Sequence, residues 1–234
     1  MPPKLALLTY VCATNLVNKY LAPNHRASSN YLMENKKKYH HGDLKGTLLD
    51  AIRLLIERDG PDGFSIAEAC RMAGVSTAAP YKHFKDRGDM LKGIVLLGMS
   101  RLFDAMQQAA AAHAAGDPLR VVGLGRSYID FAKAEPGVFR MMFSLAKSGP
   151  EDDDLRAAGD VANRLVEEVV AEHLGIDPDG EEAKLRAYAL WCFVHGHCFL
   201  MLDGKVEPGL TADEENALLF LVGRAMLPPA ESAS

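Results

Sequence analysis

The stretch from Phe64 to Leu91, FSIAEACRMAGVSTAAPYKHFKDRGDML, carries two short helix signals on either side of one glycine turn. Ser65 followed three positions later by Glu68 is a capping box, so a helix should start there. Ile66, Ala69, Cys70 and Ala73 recur at helical spacing and give that helix one apolar face. Gly74 suits the left-handed position just past a helix end, Val75 can plug the angle between two helices, and Ser76 or Thr77 can cap the next one. That next helix has small side chains at Ala78 and Ala79. Tyr81, Lys82 and His83 follow, with hydroxyl, ammonium and imidazole groups able to reach phosphate oxygens. Phe84 turns back to the core. Pro80 lacks an N–H and disfavours helix at Ala79, so the second helix must be short, with Pro80 in its first turn. Two such helices around a tight turn make a helix-turn-helix, and the partner this implies is double-stranded DNA. An ordinary packed helix pair would also have a glycine turn, but not capping box, turn and aromatic-basic ending in this order.

A supporting helix should precede the pair, from its cap Asp43 to Asp59. Leu44, Leu48, Ile52 and Leu55 form its stripe, and Gly60-Pro61-Asp62-Gly63 stops it. Together these residues resemble the tetracycline-repressor-like (TetR/AcrR) transcriptional regulators. The resemblance rests on Ile66-Ala67, the Gly74-Val75-Ser76 turn, the Tyr81-x-His83-Phe84 ending and Arg87. Tyr39 to Leu44 (YHHGDL), Ala78 to Tyr81 (AAPY) and Trp191 to Gly196 (WCFVHG) narrow it to the branch whose C-terminal half is called the WHG domain. Pro80 and Gly88 depart from the wider family, which usually has Leu or Ile and Glu there. The resemblance implies an all-α fold in which a three-helix DNA-binding domain precedes a helical ligand-binding and dimerisation domain. The expected divisions are an N-terminal extension over 1–38, the DNA-binding domain over 39–87, the effector domain over 88–228 and a tail over 229–234. Lys45, Ser65, Ser76, Thr77, Ala78, Tyr81, Lys82, His83 and Arg87 are the residues expected at DNA.

Charge agrees with such a division. The net charge of −5 looks wrong for a DNA binder, yet residues 33–92 hold 11 Lys/Arg against 9 Asp/Glu, whereas 93–234 hold 12 against 22. A weakly basic module on an acidic body orients its basic end toward DNA, although acidic surfaces also serve solubility alone. Residues 1–32 contain no acid and one short apolar run, Leu5 to Cys12. The run is brief for a signal peptide, so an extension with Met33 as the natural first residue is the better expectation. Lys36, Lys37 and Lys38 form an arm that could follow phosphates or remain a solvated tail. The 4 cysteines show neither CxxC nor zinc-finger spacing, and reduced thiols are the default. No apolar run approaches the roughly 18 residues of a membrane span. The expected location is the cytoplasm, at the bacterial nucleoid.

Beyond Asp86 a long helix should carry Leu91, Ile94, Val95, Leu102 and Met106. Asp117-Pro118 opens the next, which should stop at Pro136-Gly137. Val138, Phe139, Met141, Met142 and Phe143 crowd into six positions, as a buried wall would. Asp152 to Leu174 reads as an amphipathic helix ended by Gly175. Residues 181–203 are apolar all round, which argues burial on every side and, in a chain of this size, contact with a second subunit. With the helix expected at 212–227 they would form the four-helix homodimer interface the resemblance implies.

The expected effector site is a cavity lined by aromatic and methionine side chains, the candidates being Phe103, Met106, Tyr128, Phe131, Phe139, Met142, Trp191 and His195. Its ligand should be mostly apolar with one or two hydrogen-bonding groups, for which His195 or Tyr128 would be partners. The function expected is a ligand-responsive repressor on a near-palindromic operator, with no cofactor. Cys192, His195 and Cys198, spaced by three, keep open a metal- or redox-responsive alternative, although a fourth ligand is not apparent. An all-α enzyme is the other alternative, and no H-E-x-x-H, G-x-S-x-G or G-x-x-x-x-G-K sequence favours it.

Overall fold

A computed structural model describes residues 44–144, 153–206 and 209–228, and every regular element among them is helical. The helices are α1 (Leu44–Gly63), α2 (Ile66–Ala73), α3 (Arg87–Ala111), α4 (Pro118–Ala134), α5 (Pro136–Ser144), α6 (Asp153–Leu174), α7 (Glu181–Leu202) and α8 (Ala212–Met226). One 3₁₀ turn, Pro80–Lys82, lies between α2 and α3.

α1 buries Leu48, Leu49, Ile52, Leu55 and Ile56 on one side. Its regular course ends at Asp59, because Gly60 adopts φ 79° and ψ 168°. The expected cap Asp43 lies outside the described residues. The α2 capping box forms only by half. Ser65 Oγ accepts from the Glu68 amide at 3.3 Å, but the Glu68 carboxylate turns across to Arg58 at 3.2 and 3.3 Å, so it ties α2 to α1 instead. Asp86 caps α3 by accepting from the Asp89 amide at 2.9 Å, and Gly88 does not delay the helix.

α4 is the central helix of the body, in contact with α3, α5, α6, α7 and α8. Asp117 caps it, accepting from Leu119 N at 2.8 Å. Pro136 does more than end α4: it opens α5, whose Val138, Phe139, Met141 and Met142 are buried. Gly98 on α3 lets α5 approach, since a Cβ there would lie 2.7 Å from Val138 Cγ1. α1 packs against both α3 and α5, and through these contacts the N-terminal unit rests on the body.

α7 bears on two expectations. Within one chain it is not buried on every side: Leu185, Tyr188 and Leu200 are 68%, 59% and 52% exposed, and Leu221 on the neighbouring α8 is 55% exposed. It is also long and apolar enough to cross a membrane, with a mean hydropathy of 1.2 over 18 residues, where no such run was expected. Here it is a body helix packed on α4, α6 and α8.

Candidate functional site

The turn after α2 is built as its residues dictate. Gly74 sits at φ 70°, and the Gly74 and Val75 amides donate back to Arg71 O at 3.3 Å and Cys70 O at 2.9 Å, closing α2. Beyond it the expected second α-helix is reduced to a 3₁₀ turn. Ala79 N donates to Ser76 O, Lys82 N to Ala79 O and His83 N to Pro80 O, all from i to i−3, at 2.9–3.2 Å. Only Phe84 N, also bonded to Pro80 O, reaches back four residues within this run. Pro80 has no N–H to donate to Ser76, so the ladder never reaches the α register.

Ala79, Pro80 and Phe84 are buried against the core, leaving Ser76, Thr77, Ala78, Tyr81, Lys82 and His83 exposed on one short surface. Six of the nine expected DNA residues are therefore together. The other three make contacts within the chain. Ser65 caps α2, and Lys45 holds its ammonium 5.3 Å from the Phe84 ring centre. Arg87 is not a free cation beside the turn. Its guanidinium donates to the carbonyls of Phe64 (3.1 Å), Pro61 (2.7 Å) and Asp62 (3.2 Å) and lies 4.0 Å from the Phe64 ring centre. It closes the loop between α1 and α2 onto α3.

In the body, helices α3 to α8 enclose a cavity of about 560 Å³, inside the range of small-molecule sites. Its inner wall includes the buried Leu102, Met106, Leu124, Met142, Val170 and Leu219, while the exposed Asn163, Lys184 and Tyr188 mark its mouth between α6 and α7. Of the expected lining residues, Met106, Tyr128, Met142 and Trp191 border the cavity. Phe103, Phe131, Phe139 and His195 do not. Phe139 stacks edge-on against Tyr128 and Phe143 behind the wall, and Phe131 lies beside Gly98. The expected set omitted most of the apolar lining, such as Leu102, Leu124 and Val170, and all of its charged and amide residues, Asn163, Glu167 and Lys184. Nothing local distinguishes these last three from an ordinary solvated helix face.

The expected hydrogen-bonding partners for a ligand are engaged with one another. The Trp191 indole N–H donates to Tyr128 Oη at 3.2 Å, and Tyr128 Oη lies 3.0 Å from His195 Nδ1. With Nδ1 as the unprotonated ring nitrogen, the Tyr128 hydroxyl accepts from the indole and donates to His195. Burial holds the His195 pKa below its ordinary value, which favours the neutral ring, and burial likewise raises the Tyr128 pKa.

These features match known proteins in sequence and in shape. Residues 121–224 match the family described as tetracyclin repressor-like, C-terminal domain. The C-terminal half of the chain is therefore similar to the tetracycline-repressor-like family. Its members are DNA-binding, ligand-binding transcriptional regulators. Among solved structures, a Rhodococcus sp. RHA1 protein of unknown function is 28% identical, with 82% of this chain and 100% of that chain covered and a TM-score of 0.69. FadR from Bacillus subtilis in complex with stearoyl-CoA is 13% identical, covers 80% of this chain and 100% of its own, and gives a TM-score of 0.61. A tetR-family regulator from Streptomyces coelicolor is 18% identical, covers 79% of this chain and 80% of its own, and gives 0.63. No curated protein matches the chain in sequence.

One helix, α5, joins the cavity to α1, the helix that supports the reading turn. The Glu57 carboxylate of α1 accepts from two amides at the start of α5, Gly137 N at 2.8 Å and Val138 N at 2.9 Å. A carboxylate here satisfies two otherwise unpaired amides and complements the positive end of the helix. Gly137 is needed for the approach, since a Cβ would lie 3.0 Å from Ile56 O. The far end of α5 supplies Met142 and Phe143 to the cavity wall. Arg101 on α3 grips Glu135, just before α5, with bonds of 2.8 and 2.5 Å.

The Cys192, His195 and Cys198 alternative loses its geometry. Cys192 is exposed, Cys198 is buried with its thiol pushed up to about 12 by burial, and His195 is bonded to Tyr128. Among the described residues no group of three His, Cys, Asp or Glu side chains could hold a metal. A spacing of three advances each side chain by about 60° and 4.5 Å, so three in succession spiral apart instead of converging.

Proposed function

We propose that this chain is a transcriptional repressor that binds a near-palindromic operator as a homodimer and releases it when a small, mostly apolar molecule fills the cavity. The observation that carries the reading is α5, clamped to the DNA-binding unit by Glu57 at one end and forming cavity wall at the other. A ligand that displaces Met142 or Phe143 shifts α5, and the shift reaches α1 through the Glu57 carboxylate. The apolar nature of the effector is supported by the lining and by the stearoyl-CoA in a protein of the same fold. Dimerisation is supported by the exposed Leu185, Tyr188, Leu200 and Leu221 on adjacent helices, a large apolar face for a monomer to leave in water. A twofold dimer presents two reading turns to successive major grooves, which calls for a near-palindrome, and the place of work is the cytoplasm, where the chromosome is.

Selection of binding sites from random duplexes, followed by gel shift, tests the DNA half. Tyr81→Ala and Lys82→Ala should each weaken binding about 10-fold across all selected sequences, since loss of a phosphate contact is independent of sequence. Recovery of no preferred duplex would overturn the proposal, and a loss confined to one operator variant would make these residues base readers.

A further inference from the structure

We infer that the effector is a straight-chain amphiphile, its hydrocarbon chain along the cavity and its polar head at the mouth between α6 and α7. The inference rests on reading the cavity as the effector site. Its first support is shape. The lining runs along α6 from Ala158 to Val170 and along α7 from Lys184 to Val194, so the space is about 15–18 Å long at 1.5 Å per residue. A volume of about 560 Å³ over that length has room for an extended hydrocarbon chain. Met99, Met106 and Met142 line it with unbranched, adaptable side chains that accommodate a flexible guest.

The second support is the distribution of polar groups. The interior side-chain hydrogen-bonding groups, Tyr128 and Trp191, are spent in the Trp191–Tyr128–His195 chain. A ligand oxygen placed deep in the cavity would find no partner there. Polar groups with room for a ligand stand at the mouth: Asn163 and Lys184, both exposed, and Glu167, whose Oε2 is 3.7 Å from Arg164. One cation, one carboxylate and one amide select for a hydrated head without demanding one charge. Discrimination therefore falls on the chain.

Trp191 is the only tryptophan and borders the cavity, so its emission reports occupancy in the full-length chain. The probes are straight-chain carboxylates of roughly eight to fourteen carbons, the matching 1-alkanols and the ω-hydroxy carboxylates, all below micelle-forming concentrations. Affinity should rise about 4-fold per methylene, the equivalent of about 0.8 kcal/mol per buried CH₂. Carboxylate and alcohol should agree within about 5-fold, and a terminal hydroxyl should weaken binding about 10-fold or more, because it meets no free partner. Gly159→Phe should abolish the response while the protein still melts cooperatively, since a Cβ there meets only Met99 Cε at 3.7 Å and the ring then enters the cavity. Affinity independent of chain length, or an ω-hydroxy chain bound as tightly as its parent, would overturn the inference. A Trp191 response to 1-aminoanthracene but to no chain would overturn it while leaving the cavity reading intact. Silence toward every probe would overturn both.

Discussion

His195 is the residue whose state is most tightly fixed by its neighbours, because Tyr128 donates to it and burial opposes its charging. Its folded pKa lies below the unfolded value of about 6.5, so the unfolded chain takes up the proton first. This contribution to stability is therefore present above about pH 6.5 and is lost as pH falls through the depressed folded value. Thermal melts between about pH 7 and 5 should show His195→Asn, whose amide oxygen can replace Nδ1 as acceptor, with a flatter decline than the parent. Equal slopes would remove His195 from the account. Glu215 is also shifted downward, but here it is the charged form that the fold holds. Burial pushes its carboxyl up, but hydrogen bonds from Lys133 at 2.6 Å and Arg126 at 2.9 Å outweigh this and hold it below the usual range, tying α8 to α4. Arg87 has a task within the chain that the sequence did not show. A basic residue after the aromatic ending was visible in the sequence, but the three carbonyls that claim it belong to a loop more than twenty residues away.

At the scale of elements, caps and breakers were legible because their physics is local. Gly74, Asp86, Asp117 and Gly175 end or begin helices as their side chains and backbone freedom require. Pro80 was legible as a disturbance, though not in degree: it removes the α register from the reading segment instead of merely shortening it. The role of α5 was not legible at all. Its apolar density gave a buried wall, but the Glu57 partner lies some 80 residues earlier, and pairings at that distance leave no local pattern. The packing of α5 on α3 has its own test. Gly98→Ala puts a methyl into contact with Val138 and should cost about 1–3 kcal/mol in chemical denaturation, the usual price of overpacking. An unchanged midpoint would mean that the two helices separate without cost.

For the whole molecule, the acidic body, weakly basic N-terminal unit and exposed α7–α8 face are properties no single motif contains. The apolar excess of α7 was legible from composition, whereas which of its sides one chain leaves uncovered depended on where α4, α6 and α8 fall. Leu200→Glu places a charge on that face, outside the cavity lining, and should convert the chain to a monomer in sedimentation while helical content stays unchanged. A variant as dimeric as the parent would move the interface elsewhere. The central claim is that cavity and reading turn share one conformational equilibrium through α5. It is tested most directly by measuring affinity for a selected near-palindromic duplex with the cavity empty and with it filled, occupancy being followed by Trp191 emission, in the parent and in Glu57→Ala. Filling the cavity should weaken duplex binding between about 5- and 150-fold in the parent and less than about 3-fold in the variant, the parental range corresponding to a coupling of 1–3 kcal/mol. A filled cavity that leaves the parent's affinity for the duplex unchanged would contradict it.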